Sequence, residues 1–439
     1  MQRRIAFSKL KFESRPNQNN GVTISELPVA YCKLPVDYLS SMNLRKLFLQ
    51  HVAQTSDAPI GIEIKKARGC TLWDADGKEY LDLIAGISVC NVGHCHPKVV
   101  KAIKKQVDEY LHVLVYGEMI ESPQVQYAKL LADHLPSSLN SVYFTNSGAE
   151  AVEGAMKLAK RSTGRTQIIS FKNSYHGSTQ GALSVIGDEE WRNAYRPLLP
   201  NILHLEYNSF DDLSFIGADT ACVIVECVQA EAGIILPAKG WLQALKKKCV
   251  ETGALLVIDE IQTGFGRTGK LWAFEQYAIV PDILLLGKAL GGGMPLGAFI
   301  ADQMLMRNLS HTPVLGHITT FGGHPVCCAA GLAAFKVLIQ GKLVKEAKEK
   351  ENLFLELLWH EKIRSVHSSG LLVAVEFDSF QFNKLIIDYC IKNGLLTDWF
   401  LFAPHCLRIA PPMTISKKQI RQACGLITEA CGQVASKKR

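Results

Sequence analysis

The sequence has no long apolar run, no large surplus of one charge and no paired spacing among its cysteines. No stretch approaches the ~20 apolar residues that a membrane-spanning helix needs. The net charge of +7 over 439 residues is too small to indicate a nucleic-acid surface. The basic N-terminus lacks a continuous apolar signal core. These absences predict a globular protein that binds neither a membrane nor nucleic acid.

The cysteines point to a reducing compartment. There are 13 of them, an odd number without a C-x-x-C pair, and most lie in apolar contexts such as Ala221-Cys222-Val223. We interpret them as reduced core residues of a cytoplasmic protein. His94-Cys95-His96 contains residue types that bind metals, but Pro97 follows and opens a helix, so a turn is favoured and no metal site is predicted.

Short apolar strands alternate with amphipathic helices along most of the chain, as in a doubly wound α/β fold. Residues 1–45 are interpreted as a tail, and residues 62–85 as a small antiparallel piece with a hairpin at Asp76-Gly77. A second α+β unit follows a helical stretch from Pro325 to about Trp359. The remaining expected elements are strands over 141–145, 167–171, 201–205, 221–225, 254–258, 283–286, 371–377 and 407–409, and helices that begin at Pro97, Ser122, about Gly148 and about Ala238.

Residues 254–298 are the centre of this pattern. The strand Ala254–Ile258 ends in Asp259-Glu260, and the strand Ile283–Leu286 ends in Gly287-Lys288. Open α/β sheets hold ligands beyond the carboxyl ends of their strands. An acid and a lysine are therefore expected to face one crevice.

Pyridoxal phosphate (PLP) is a cofactor that needs both groups. It needs a lysine for covalent attachment and an acid on its pyridine nitrogen. The acid keeps that nitrogen protonated, because a nearby opposite charge favours the charged form.

Other interpretations of the same stretch compete. A lone lysine after a strand is usually a solvated surface residue. A phosphate loop fails, because Asp282 and Ala289 stand where G-x-x-x-x-G-K-[ST] requires Gly and Ser or Thr. Gly264–Gly269 matches G-x-G-x-x-G, the dinucleotide signature, but Glu260–Thr263 separates it from the strand and no long helix follows.

A possible anion site precedes this stretch. The strand 141–145 leads into Asn146-Ser147-Gly148-Ala149-Glu150 and a helix. Backbone N–H groups and the helix dipole favour phosphate at such a helix start, although an ordinary helix cap gives the same pattern. Strand 167–171 ends near Tyr175-His176, so an aromatic pair also reaches the edge of the crevice.

With these residues in place, the chain resembles the class III (ω-) aminotransferases, which are fold-type I PLP enzymes. The resemblance covers about residues 58–430. It rests on motifs in a fixed order: GxxLWDxDGxxYLD, GHxHP, NSGAEA, YHG, ECVQAEAG, VIDEIQTGFGRTG, PDILLLGKALGGG, HxTTFGGHP and LRIAPP.

The resemblance implies a large, mostly parallel sheet domain flanked by helices, plus a smaller α+β domain from both chain ends. Residues 1–95 would form the tail and part of the small domain, 96–328 the large PLP-binding domain, and 329–439 the C-terminal small domain. It also implies a homodimer whose active site is shared across the interface.

The resemblance further implies a role for each matching residue. Lys288 resembles the lysine that attaches the cofactor and moves protons, and Asp259 the partner of the pyridine nitrogen. Glu231 and Arg408 resemble a switch pair in which the arginine binds an α-carboxylate and the glutamate neutralises it otherwise. The other matches are Gln262 near the ring hydroxyl, Tyr175 stacked on the ring with His176 beside it, Ser147, Gly148 and Ala149 at the phosphate, Thr320 at the phosphate of the other subunit, and Glu226 as a further acid.

Three positions depart from the family pattern. Ser178 stands where relatives have an arginine that grips a substrate carboxylate, and a hydroxyl cannot replace a bidentate guanidinium. Ile87 stands where ornithine-type enzymes have a tyrosine. These two departures argue against ornithine, acetylornithine and 4-aminobutyrate as substrates. His324 replaces the usual asparagine of GGNP.

The favoured hypothesis is a ping-pong transaminase that moves an amino group from an ω-amino or other amine donor to a 2-oxo acid. An aminomutase or decarboxylase with the same PLP fold is the alternative. A nicotinamide-dependent oxidoreductase that uses Gly264–Gly269 is the alternative from another class.

Overall fold

The computed structural model describes residues 43–436, so most of the tail expected over 1–45 lies outside the described residues. The chain divides into two compact units, the first ending at Glu63 and the second beginning at Ile64. The described part of the first unit contains the helix α1 (Leu44–His51), which Asn43 caps by accepting the Lys46 N–H. The domain boundaries expected after residues 95 and 328 stay a prediction.

The second unit alternates strands and helices as the sequence pattern predicts. Its strands are β1 (Ile64–Arg68), β2 (Thr71–Asp74), β3 (Glu79–Asp82), β4 (Ser141–Thr145), β5 (Gln167–Phe171), β6 (Ile202–Leu205), β7 (Thr220–Glu226), β8 (Leu255–Asp259), β9 (Ile283–Leu286), β10 (Gly297–Ala301), β11 (Ser365–Ser369), β12 (Leu372–Glu376), β13 (Leu395–Leu396) and β14 (Cys406–Ile409). Its helices are α2 (Ala85–Ser88), α3 (Pro97–Glu109), α4 (Ser122–Ala132), α5 (Gly148–Thr163), α6 (Gln180–Ser184), α7 (Glu189–Arg192), α8 (Trp241–Thr252), α9 (Gln303–Met306), α10 (Pro325–Gln340), α11 (Leu343–Leu357), α12 (Phe380–Lys392) and α13 (Lys417–Ser436).

A seven-stranded sheet in the order β4-β10-β9-β8-β7-β5-β6 forms the centre of this unit. The strands β9, β8, β7, β5 and β6 run parallel to one another, whereas β10 is antiparallel to both β9 and β4. The expected large, mostly parallel sheet is thus confirmed. The strand β10, which follows the glycines at 291–293, was not among the strands expected from the sequence.

Helices cover both faces of this sheet. Val257 of β8 packs in a cluster with Ala151 and Ala155 of α5. Leu256 and Ile258, which point to the opposite face, belong to the larger cluster that contains Trp241 and Leu245 of α8. Burial on both faces explains why these strands read as continuous apolar runs.

Two smaller sheets accompany the large one, in the orders β1-β2-β3-β13 and β11-β12-β14. The predicted hairpin at Asp76-Gly77 joins β2 and β3, which pair antiparallel. Strand β13 pairs with β3 in parallel, with Leu395 opposite Leu81. Segments from both ends of the chain therefore share one sheet, as the fold class implies.

The helix expected from Pro325 to about Trp359 is in fact two helices. Helix α10 ends at Gln340, where Gly341 adopts an extended conformation (φ −90°, ψ −176°), and α11 begins at Leu343. Among residues 43–436 no single helix is long and apolar enough to span a membrane; α10 and α11 meet that test only together, with a bend of 70° between them.

Candidate active site

Acidic and basic side chains lie at one edge of the large sheet, at or just after the ends of three neighbouring strands. Glu226 at the end of β7 lies opposite Asp259 at the end of β8. Asp259 in turn lies opposite Leu285 of β9, three residues before Lys288. All three ionisable side chains line one pocket. This common edge was expected from the strand order of a parallel sheet.

Asp259 is held by two contacts. Its Oδ2 lies 2.8 Å from His176 Nδ1, and its Oδ1 accepts the Ile261 N–H at 2.9 Å. Both side chains are buried. Burial lowers the pKa of His176, but the hydrogen bond to Asp259 and the charges of Asp259 and Glu226 together outweigh it and leave the pKa above its usual value. Asp259 therefore has a fixed orientation.

Lys288 faces the same pocket from a strained backbone position. Its φ of 46° lies in the left-handed region, which is uncommon for residues other than glycine and often marks functional sites. Its Nζ donates to Gln262 Oε1 at 3.3 Å. Burial lowers the pKa of Lys288 below the usual lysine value, so a larger fraction of this amine is neutral than in a surface lysine.

The start of α5 forms another wall of the pocket. Ser147 caps the helix, because its Oγ accepts the Glu150 N–H at 3.2 Å. Gly148 and Ala149 line the pocket, and the N–H groups of a first helical turn have no partner inside the helix. A Cβ at Gly148 would lie 2.8 Å from Ile261 Cδ1, so a larger residue there would displace the Ile261 side chain. The structure thus places Ser147 in a cap and the two small residues at the surface of the pocket.

The loop after β5 provides the aromatic wall. Tyr175 and His176 line the pocket together with Ser178, and the Tyr175 hydroxyl lies 3.0 Å from Ser178 Oγ. Gly177 adopts φ 126°, and a Cβ there would lie 2.6 Å from Ala149 Cβ. The loop can approach α5 this closely only because residue 177 is glycine.

The Glu226 carboxylate holds the start of this loop by backbone hydrogen bonds. It accepts the N–H groups of Tyr175 at 3.0 Å and Ala230 at 3.1 Å. Burial raises the pKa of Glu226 to about 7, and Asp259 adds to the rise. Glu226 therefore connects the aromatic wall to the loop that leads to Glu231.

Glu231 and Arg408 form a bidentate pair, with Nη1–Oε1 at 2.8 Å and Nη2–Oε2 at 2.9 Å. Both side chains are almost completely buried. Burial opposes the charge on Glu231, but Arg408 lowers its pKa below the usual value, and Lys288 contributes to the same shift. The pair predicted from the resemblance is thus in contact and near Lys288.

Thr320 lies apart from these residues. It is exposed and is not among the residues that line the pocket. Its neighbour Thr319 accepts a hydrogen bond from Asn146 Nδ2 at 3.1 Å, which ties this loop to the start of α5. His324, another position that departs from the family, stacks on His112 with ring centroids 5.4 Å apart.

The sequence analysis missed one acid at this site. Asp398 Oδ1 lies 2.9 Å from Arg408 Nε. A signal for it was the single acid in the otherwise apolar and aromatic stretch Asp398-Trp-Phe-Leu-Phe402 that precedes Arg408.

The histidines and cysteines outside the pocket have structural roles. Within residues 43–436, no group of three or more His, Cys, Asp and Glu side chains could hold a metal ion. His94 Nε2 contacts Asp82 at 2.6 Å, and His96 caps α3 by accepting the Lys98 N–H. The cysteines of the described residues are free, and most are buried.

The pocket suits the cofactor that the sequence predicts. Two buried nitrogen atoms at its wall, His176 Nε2 and Gln262 Nε2, have no hydrogen-bond partner within the described residues. Buried polar groups are rarely left without a partner. A polar ring flanked by a carboxylate, an amide, a lysine and a helix start matches the groups of PLP.

Comparison with known proteins decides the family. The family described as "Aminotransferase class-III" matches residues 52–431. The chain belongs to the class III aminotransferases. It is a PLP-dependent transaminase, as the sequence motifs predicted.

Similar proteins carry several names within this family. The acetylornithine aminotransferase of Methanopyrus kandleri is 38% identical over 374 residues, which cover 84% of this chain and 94% of that protein. The acetylornithine aminotransferase of Bacillus subtilis is 39% identical over 375 residues, again with 84% and 94% coverage. The ornithine aminotransferase of Toxoplasma gondii, with PLP at partial occupancy in its active site, superposes with a TM-score of 0.84 at 30% identity, covering 90% of this chain and 94% of that one.

Proposed function

We propose that this aminotransferase takes an amino group from a donor whose amine is remote from any α-carboxylate and passes it to a 2-oxo acid. The bidentate pair between Glu231 and Arg408 is the observation that carries this proposal. While Glu231 occupies the guanidinium, the site has no free cation there for the α-carboxylate of a donor. When Glu231 leaves, Arg408 can hold the carboxylate of the acceptor in the same bidentate geometry.

The residues around the pocket would hold PLP as follows. Asp259, fixed by His176, would keep the pyridine nitrogen protonated, and Gln262 would donate to the ring hydroxyl. Tyr175 would stack on the ring. The N–H groups of Gly148 and Ala149 would bind the phosphate at the start of α5. PLP, once bound, supplies the electron sink for the substrate carbon that loses a proton.

Lys288 would carry the proton in both half-reactions. Its lowered pKa makes the neutral amine, the form that a general base requires, more available than in a surface lysine. The amine takes the proton from the substrate carbon and returns it one position away. The left-handed backbone at Lys288 fixes the start of this side chain, so that Nζ stays within reach of Gln262 and the pocket.

The donor's tail would meet few cations in this pocket. Ser178 replaces the arginine of related enzymes, and the two nearby arginines of α7 and the following loop are occupied. Arg192 Nη2 bonds Glu189 at 2.6 Å, and Arg196 bonds the same carboxylate. A donor with a carboxylate at its far end therefore has no charge partner at position 178. This supports simple amines and diamines over N-acetylornithine, the substrate class in the names of several relatives.

We also propose a homodimer in which Thr320 of the partner subunit completes the phosphate site. The exposed position of Thr320 supports this arrangement, because its own pocket does not include it. The buried, free cysteines support a cytoplasmic location, since thiols stay reduced in that compartment.

A substrate matrix tests this proposal. Diamines, ω-amino acids, N-acetylornithine and α-amino acids are each paired with pyruvate and with 2-oxoglutarate, and kcat/KM is measured for every pair. We expect the highest values for amines without a carboxylate near the amine. A preference for an α-amino acid donor would contradict the proposed donor class, and a preference for N-acetylornithine by more than tenfold would contradict the argument from Ser178.

A further inference from the structure

The guanidinium of Arg408 is contacted by more groups than a simple switch pair needs. Glu231 takes its two Nη atoms, and Nη2 also donates to the carbonyl of Trp399 at 2.9 Å. Asp398 lies against Nε at 2.9 Å. The guanidinium carbon lies 4.5 Å from the ring centroid of Phe400. One cation therefore faces two carboxylates in a largely dry site.

The burial of these side chains strengthens the interactions between their charges. The side chains of Arg408 and Glu231 are 3% and 6% exposed, whereas that of Asp398 is 22% exposed. With both acids ionised, the group carries one net negative charge before any substrate arrives. Repulsion between like charges is strong in such surroundings. A substrate carboxylate would add a second negative charge.

The titratable and charged groups that face Asp398 are Arg408, Glu231 and Asp82. Burial raises the pKa of Asp398 to about 6, Arg408 opposes the rise and Glu231 adds to it. Asp82 is itself bonded to His94, whose pKa this contact raises to about 10. Protonation of Asp398 would therefore remove the excess negative charge of this group.

We propose that Asp398 is a positioning residue that takes up one proton from solvent when a substrate carboxylate replaces Glu231 on Arg408. This inference rests on the proposed function, in which Arg408 holds the acceptor. In this exchange the substrate carboxylate accepts two hydrogen bonds from the Arg408 guanidinium. Glu231 loses its two hydrogen bonds from the same group, and the proton from solvent binds Asp398. Asp398 stays paired with Nε, and Nη2 keeps its hydrogen bond to the carbonyl of Trp399, so the guanidinium stays in place.

Two observations favour Asp398 over Glu231 as the proton acceptor. Asp398 is the more exposed of the two acids, with 22% of its side chain exposed against 6% for Glu231. Glu231 Oε2 also accepts the Leu401 N–H at 3.1 Å, and a hydrogen bond of this kind favours the ionised form of a carboxylate.

The proton uptake predicts a pH dependence of carboxylate binding. Above the pKa of free Asp398, binding must draw a proton from increasingly dilute solution. The affinity for a carboxylate should therefore fall as pH rises, by up to roughly tenfold per pH unit where about one proton is taken up. Exchange of Asp398 for Asn should abolish this part of the pH dependence and leave binding close to its low-pH value.

Calorimetry of pyruvate binding to the holoenzyme tests the proposal, because pyruvate has no amine to donate and binds without turnover. Titrations in phosphate and in Tris, whose protonation enthalpies differ, give the number of protons taken up. We expect uptake by the wild type and by Asp398→Glu, and its loss in Asp398→Asn. Asp378→Asn, which removes an exposed acid paired with Arg364, is the matched control and should behave like the wild type.

Three outcomes would overturn the proposal: no proton uptake by the wild type, uptake that persists in Asp398→Asn, or uptake that is lost only in Glu231→Gln. The wild-type titration alone decides the first of these, whatever the stability of the variants. Arg408→Lys separates this inference from the proposed function. If that variant binds pyruvate as tightly as the wild type, Arg408 is not the carboxylate site and the proposed function itself fails.

Discussion

His176 Nδ1 and Asp259 Oδ2 lie 2.8 Å apart in a buried position at the end of β8. Asp259→Asn should keep the fold but remove the charge opposite the pyridine nitrogen. Loss of one member of a buried charge pair costs ~3–5 kcal/mol, so we expect the rate of substrate proton removal to fall by roughly two to four orders of magnitude. Single-turnover kinetics measure this step. Asp108→Asn, in an exposed acid of α3, is the control, and an unchanged rate in Asp259→Asn would make Asp259 a structural residue.

Lys288→Ala should abolish turnover while leaving the noncovalent contacts to PLP. General acid–base catalysis by one side chain is worth ~10²–10⁴-fold, and Lys288 also attaches the cofactor. We expect cofactor retention after gel filtration but a changed visible spectrum and no detectable transamination. Lys239→Ala removes an exposed lysine and should match the wild type. Near-normal activity of Lys288→Ala would refute the assignment.

Ser178→Arg should shift acceptor preference from pyruvate towards 2-oxoglutarate. A charge-assisted hydrogen bond contributes ~1.5–3 kcal/mol, which is roughly one to two orders of magnitude in the ratio of the two kcat/KM values. Ser178 is exposed at the pocket rim, so the larger side chain has room. Ser178→Gln, which is long but uncharged, is the control for length. If the wild type already prefers 2-oxoglutarate by a hundredfold, another cation must bind the far carboxylate.

Glu260 should make stability depend on pH. It is fully buried, its oxygens accept the N–H groups of Ala273 and Phe274, and burial raises its pKa to about 8. The folded state keeps this proton while the unfolded state releases it near pH 4.5, so stability falls as pH rises between these values. Glu260→Gln has no titrating carboxyl at this position, so its stability does not show this fall.

The free energy of unfolding of the wild type minus that of Glu260→Gln is the stability gap. This gap should therefore shrink between pH 5 and pH 7.5, by up to ~3 kcal/mol at 1.36 kcal/mol per pKa unit. Denaturant unfolding of the two holoenzymes at both pH values measures the gap. Glu109→Gln, in an exposed acid of α3, should give a gap that does not change with pH. A widening gap for Glu260→Gln would contradict the sign of this linkage.

Cofactor binding and dimerisation should be linked if Thr320 of the partner subunit contacts the phosphate. Any ligand that binds the dimer better than the monomer stabilises the dimer. Removal of PLP should then raise the dimer dissociation constant, and Thr320→Val should reduce the difference between the apo and holo proteins. Sedimentation over a range of concentrations gives both constants. Equal constants for apo and holo wild type would contradict the linkage.

The strand ends and their chemistry were predictable, because both follow from local patterns. Apolar runs that stop at Asp259 and Lys288 predicted the edge where these residues meet, and β9 has the bounds expected for it. The contacts of Asp398 and the strand β10 were not predictable. Asp398 meets Arg408 only because β14 and the loop before it fold back on each other, and β10 is recognised only by its partners β4 and β9.

The pairing of β13 with β3 also constrains how the protein is made. Lys78 Nζ donates to the carbonyl of Lys392, 314 positions later, and Leu395 pairs with Leu81 beside it. During synthesis the N-terminal hairpin leaves the ribosome long before its fourth strand exists. Because contacts between distant parts of the chain form slowly, β3 has an open edge until translation passes residue 396. A chaperone that covers this edge would act on the nascent chain in that interval.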